Sequence, residues 1–308
     1  MTEAPERTTV TSLTDLVEVV PSLLGFHPHD SLVLLAIRDG MVQLTARTDL
    51  FDAPPARALA PAWHRLPGAH FVVIAFSADA GCAWWGLDDV DLALPGDAER
   101  ILVHADGERW YEHPDDEGTP YDALGGVLLA EAAYAGRPIR GSREELYALV
   151  EPNRTPAEVT ASLDRVAARA EGLSDILGEA RALLAAHDDA PGDLEIDDAT
   201  VLCLASHDPC FLDEALLSTT RANAAPRVSL WLQVVGCGVP NCVGGALAAA
   251  ALAAWLNGDG ALQSVCLEAM DDRPGPAEWA RFLQAVNLGA VPPAEWDSLA
   301  AELRRARA

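Results

Sequence analysis

Two hydrophobic periods run along this chain, and the change from one to the other divides it. Up to about residue 120, short apolar runs alternate with Gly, Asp and Pro; beyond that the period is helical. Residues 1 to 11 are polar and predict a frayed tail. Thr14 to Leu24 reads as a helix that stops at Gly25, with Pro21 bending or breaking it. Ser31 to Arg38 and Met41 to Asp49 predict two strands joined over Asp39-Gly40, a strong hairpin signal. Pro54-Pro55 opens a helix reaching about Arg65. His70 to Phe76 is a continuous apolar run, so a central strand is expected, and the strand–helix–strand order predicts a right-handed crossover. Residues 77 to 98, with Trp84-Trp85 and the acids Asp88, Asp89 and Asp91, give no clear period. Ile101 to His104 and Glu108 to Glu112 predict a second hairpin over Asp106-Gly107, followed by a loop over 113 to 120.

From Asp122 onward no strand is expected. Ser142-x-x-Glu145 and Thr155-x-x-Glu158 are capping boxes, the second with Pro156 at the first helical position. Residues 156 to 187 form one helix, or two joined near Gly172. Helices follow over Asp197 to Ser206, Phe211 to Ser218, Arg227 to Val235, Val243 to Asn257, Ala261 to Met270, Ala277 to Asn287 and from Ala294 onward. Ala254 to Leu262 with Leu267-Glu268-Ala269 resembles one tetratricopeptide hairpin, but no second copy repeats it, so an isolated αα-hairpin is expected. The fold class is therefore α/β. A mixed-sheet α/β domain is expected over 1–150 and an all-helical region over 151–308.

The chain carries 47 acidic and 21 basic residues, a net charge of -26. That field repels a phosphate backbone and an anionic membrane surface, so neither nucleic acid nor membrane is an expected partner. Every basic residue is arginine. Without lysine there is no Schiff base, no Walker A loop and no kinase strand lysine. The N-terminal stretch has Glu3 and Glu6 and no apolar core, so no secretory signal is expected and the six cysteines are read as reduced thiols in a cytoplasmic protein. The longest apolar run, Val243 to Leu256, falls short of the ~20 residues of a spanning helix and reads as a buried core helix.

His27-Pro28-His29-Asp30 is the first candidate site. Two imidazoles and a carboxylate could hold a divalent metal with a position left open for water. The alternative is a helix-to-strand turn in which Asp30 or Ser31 bonds nearby backbone amides. Arg47 and Asp49 lie two apart on a strand and so share a face, and Asp30 could join them. As a site, Arg47 would clamp an anion and a carboxylate would act as base; as structure, the group is a salt bridge fixing the hairpin. Cys237 and Cys242, with Cys203, Cys210 and His207, could ligate metal only if folding gathers them; packed or reversibly oxidised thiols are the alternative. His113, Asp115, Asp116 and Glu117 form an acidic loop that could take a hard cation or stay solvated.

Several elements resemble a known family when taken in order. They are Asp15-Leu16, Val20-Pro21, Leu24-Gly25-Phe26 with Pro28 and Asp30-Ser31-Leu32-Val33, then Arg47-x-Asp49-Leu50. Gly107-Glu108-Arg109-Trp110, Glu117-Gly118-Thr119-Pro120, Ser142 to Leu146 and Ala254 to Ala261 continue the series. Together they resemble the DUF4192 family, a domain of unknown function known mainly from actinobacteria. Phe51 stands where that family usually has proline, and the loop 111–117 has no cysteine where many members place a cluster. If that cluster binds metal in relatives, this chain has lost the site or replaced it with oxygen ligands.

The resemblance brings no activity with it. The expected function is a cytosolic, non-catalytic interaction or scaffold protein, with a protein partner or self-association and no cofactor. Trp231, Trp255, Trp279 and Trp296 are expected mainly in the core, with one or two as partner anchors. The alternative is a metal-assisted hydrolase built on His27, His29 and Asp30 with Arg47 as anion clamp.

Overall fold

In the computed structural model, residues 12–51, 54–123, 139–271, 273 and 275–307 are described. The expected tail over 1 to 11 lies outside them. Contacts divide the chain into two compact units, Met1–Arg143 and Glu144–Ala308.

The first unit is built on β1 (Ser31–Arg38), β2 (Met41–Asp49), β3 (His70–Phe76), β4 (Arg100–Ala105), β5 (Arg109–Tyr111) and β6 (Thr119–Pro120). They form one mixed sheet in the order β2-β1-β3-β4-β5-β6. β3 and β4 pair in parallel, and the other neighbours are antiparallel. Because β2 and β3 are both antiparallel to β1, they run the same way, and α2 (Pro55–Arg65) crosses over between them. The register sets one row across the sheet end: Asp49, Ser31, Phe76, Ala105, Trp110 and Thr119. The expected hairpins and the central strand are present. β6 is a short strand within what reads in sequence as the loop 113–120.

Both faces of β1 and β3 are buried, which is why these strands read as continuous apolar runs. Leu32, Leu34, Ala36, Phe71, Val73 and Ala75 pack under α2 and α3 (Ala80–Ala93). α3 occupies the segment without a clear period and is capped by Asp79, which accepts from the Cys82 N–H. α1 (Leu13–Leu24) opens with a Ser12/Asp15 capping box and ends at Gly25 in the left-handed region, φ 77°. Pro21 sits inside α1 without breaking it: the helix continues to Leu24, and the Pro21 carbonyl accepts from the Gly25 N–H.

The second unit is helical: α4 (Glu144–Leu149), α5 (Pro156–Arg169), α6 (Leu173–Asp189), α7 (Ile196–Ala205), α8 (Pro209–Leu217), α9 (Ala224–Cys237), α10 (Val243–Leu256), α11 (Gly260–Asp271), α12 (Ala277–Leu288) and α13 (Trp296–Arg307). The segment 156–187 is two helices, interrupted at 170–172. Every residue of α10 is buried, and α7, α8, α9, α11 and α12 pack around it. α10 and α11 form the expected hairpin over Asn257-Gly258-Asp259, with Gly258 at φ 81°. Among the described residues no helix is long and apolar enough to cross a membrane.

Candidate functional site

Ligands of open α/β sheets bind beyond the carboxyl ends of the parallel strands. Here that is the sheet end where β3 and β4 finish and β1 starts, and the His27–Asp30 segment leads into it. Asp30 holds an uncommon φ of +42°. Its carbonyl accepts from the Leu50 N–H (2.9 Å), and its carboxylate accepts from the Ser77 hydroxyl (2.6 Å). Ser77 Oγ also accepts from the Asp79 N–H (3.2 Å), so one buried hydroxyl ties the start of β1 to the cap of α3.

Arg47 and Asp49 meet as their strand spacing predicts, at 2.5 Å. The guanidinium also donates twice to Ser31 Oγ (3.0 and 2.7 Å) and lies over the Phe26 ring, 5.9 Å from its centroid. Ser31 in turn donates to the His29 carbonyl (2.5 Å). Asp30 does not join this pair; its carboxylate is turned to Ser77 instead. The segment is an irregular link with a bend at Asp30, and its hydroxyl and carboxylate bond a carbonyl and a distant serine where the sequence suggested local amides.

His27 is half-buried, with its N–H on the Arg140 carbonyl (3.0 Å), while His29 is exposed. Burial, and then the charge of His29, pushes the His27 pKa down and so favours its neutral imidazole. Among the described residues no three His, Cys, Asp or Glu side chains are grouped to hold a metal.

Sequence reasoning missed the other half of this end. His104 is buried on β4, with Nε2 2.8 Å from the Ser77 carbonyl. Its ring stacks on Tyr111 at 5.3 Å and meets the edge of Trp84 at 6.1 Å. The Tyr111 hydroxyl donates to Asp106 (2.8 Å), whose other oxygen caps the hairpin turn by accepting from the Glu108 and Arg109 N–H groups. Burial alone would raise the Asp106 carboxyl, but those N–H donors and the tyrosine outweigh it and hold the pKa below the ordinary range. Burial and then Asp79 raise the Cys82 thiol pKa, which disfavours its thiolate. Asp79 went unread with the rest of 77 to 98, although an Asp just before a helix is the signal that could have found its cap; the place of His104 had no such signal, because it depends on β3–β4 register.

The remaining candidates serve local structure. Asp116 accepts from the Glu112 and His113 N–H groups (3.2 and 2.8 Å), closing the acidic loop on itself. Cys237 packs with its Sγ 3.4 Å from Thr200 Oγ1, and burial raises the pKa of Cys203, Cys237 and Cys242. Cys210 is exposed. A cavity of about 50 Å³ beside Cys237, lined by Asn153, Arg154, Ile196 and Gln233, has room for a water or two. Trp231, Trp255, Trp279 and Trp296 are all buried, so none is free to anchor a partner.

No curated protein and no solved structure matches the chain. The model of one protein family, a domain of unknown function, matches residues 14–293 of the 308, and the chain belongs to that family, DUF4192.

Proposed function

We propose that this is a cytosolic, non-catalytic interaction or scaffold protein. The observation that carries this reading is the mutual pairing at the sheet end. Arg47 is taken up by Asp49 and Ser31, Asp30 by Ser77, His104 by the Ser77 carbonyl, and Asp106 by Tyr111 and two backbone N–H groups. A catalytic base or an anion clamp needs a free valence aimed at a reacting atom. At this end the valences hold strands and helix caps together instead. The metal-assisted hydrolase has no three-ligand group among the described residues to support it.

Two measurements test the reading. Bait protein in native lysate should retain a stoichiometric partner; recovery of nothing above background counts against an interaction role. Elemental mass spectrometry should find no stoichiometric metal. Zinc, manganese or iron that is lost in His27→Ala or Asp30→Ala would overturn the proposal in favour of the hydrolase.

A further inference from the structure

The outer surface of α3 is unlike that of a solvated helix. Trp85 and Leu92 are 57% and 87% exposed, and they fall with Asp88 on one stripe, three and four residues apart. Phe51, also exposed at 64%, follows directly on Leu50 in the chain. Leu50 packs against Gly86, and farther along Asp89 accepts from the Ala56 N–H (2.9 Å), so the start of α2 runs along this side of α3. Exposed aromatic and leucine side chains in one patch are the usual anchors of a protein interface.

The charge around the stripe says what covers it. α3 carries Asp88, Asp89 and Asp91 and no cation. Asp91 pairs with Arg100 and Asp89 with the α2 cap, while Asp88 has no partner among the described residues. Arg57 on α2 is exposed as well, so an occupant's cations belong over α3 and not over α2. A second copy would bring another net charge of -26, which opposes close approach. An amphipathic segment with apolar anchors and basic flanks meets both the hydrophobic and the electrostatic demand.

We infer that the Trp85–Asp88–Leu92 stripe of α3 docks a cationic amphipathic helix of a protein partner. This rests on the interaction reading above and names the surface and the class of partner. The probe is a dye-labelled synthetic peptide with leucines at helical spacing on one face and arginines on the other. A control peptide carries glutamates in place of the arginines. Fluorescence anisotropy with the full chain should show saturable binding of the arginine peptide alone. Trp85→Ala and Leu92→Ala, both at exposed sites, should each weaken it about tenfold, as should Asp88→Arg. The circular dichroism of each variant should match that of the parent.

Equal binding by parent and variants would mean that the peptide adheres to the acidic surface at large, and would overturn the inference. So would self-association in sedimentation velocity that disappears in Trp85→Ala, since a second copy would then own the stripe. Both outcomes leave the interaction reading standing; that reading falls with the lysate experiment or with the metal analysis, neither of which depends on this stripe.

Discussion

Asp30 and Ser77 show how a polar pair can fix a sheet end. The Ser77 hydroxyl is buried, donates to one carboxylate and accepts one helix-cap N–H. Ser77→Ala removes both bonds and leaves Asp30 without its donor, a cost of about 1–3 kcal/mol. Urea denaturation should show a lower midpoint with an unchanged slope. Asp197 offers a test by pH. Arg165 first, and then Ser162, hold its carboxyl at about 2. A carboxylate whose pKa is lower folded than unfolded stabilises the fold above its unfolded pKa. That contribution is therefore complete above about pH 4 and is lost as pH falls toward 2. The pair is partly exposed, so its worth is on the order of 1 kcal/mol. Asp197→Asn should lose that much at pH 7 and almost nothing near pH 2, which denaturation at the two pH values would measure. The Arg47–Asp49 pair was legible in sequence because a strand repeats every two residues. The Asp30–Ser77 contact was not, because it spans 47 positions and exists only once β1 and β3 are in register.

Close approach of backbones decides which helix glycines can change. At Gly86 an added Cβ would fall 2.6 Å from a Leu50 methyl and 2.8 Å from a Leu32 methyl, where α3 rests on the sheet. At Gly245 it would fall 2.1 Å from the Ser206 carbonyl oxygen, which cannot rotate away. At Gly178 in α6 it meets nothing within 4 Å. Alanine gains roughly 1 kcal/mol of helix propensity at each site, against an overpacking cost of about 1–3 kcal/mol or more. Thermal unfolding should thus rank Gly178→Ala above the parent, Gly86→Ala below it and Gly245→Ala lowest. A parent-like Gly245→Ala would contradict the packing described here. The same closeness explains what the sequence concealed. Trp84 meets His104, Asp91 pairs with Arg100 and Asp89 caps α2, while Trp85 and Leu92 are exposed, so polar side chains on the packed side and apolar ones on the open side blur the period of α3. The hairpins were legible because Asp39 and Gly40 in the first, and Gly107 in the second, supply positive φ where the turns need it. α10 was legible as core because it has no charged side chain and no polar one but the Trp255 indole.

For the whole molecule, charge sets the response to salt. Forty-seven acids against 21 arginines repel one another in the folded chain, and the partly exposed ion pairs contribute about 0–1 kcal/mol each. Screening should relieve more repulsion than it costs in pairing. The melting temperature by calorimetry should therefore rise as sodium chloride increases from low to moderate concentration; a fall would mean that the ion pairs outweigh the net charge.

The burial of α10 on all sides bears on the order in which the chain is made. α7, α8 and α9 all pack against α10, yet α7 is complete at Ala205 and α10 only at Leu256. At about 5–20 residues per second, a nascent chain exposes the surfaces that face α10 for several seconds before that helix emerges. Ribosome-bound chains halted before Val243 should be open to protease and to chaperone capture, and chains halted well past Leu256 should be closed to both. The helix at the centre of the second unit is thus also the one whose synthesis times its folding.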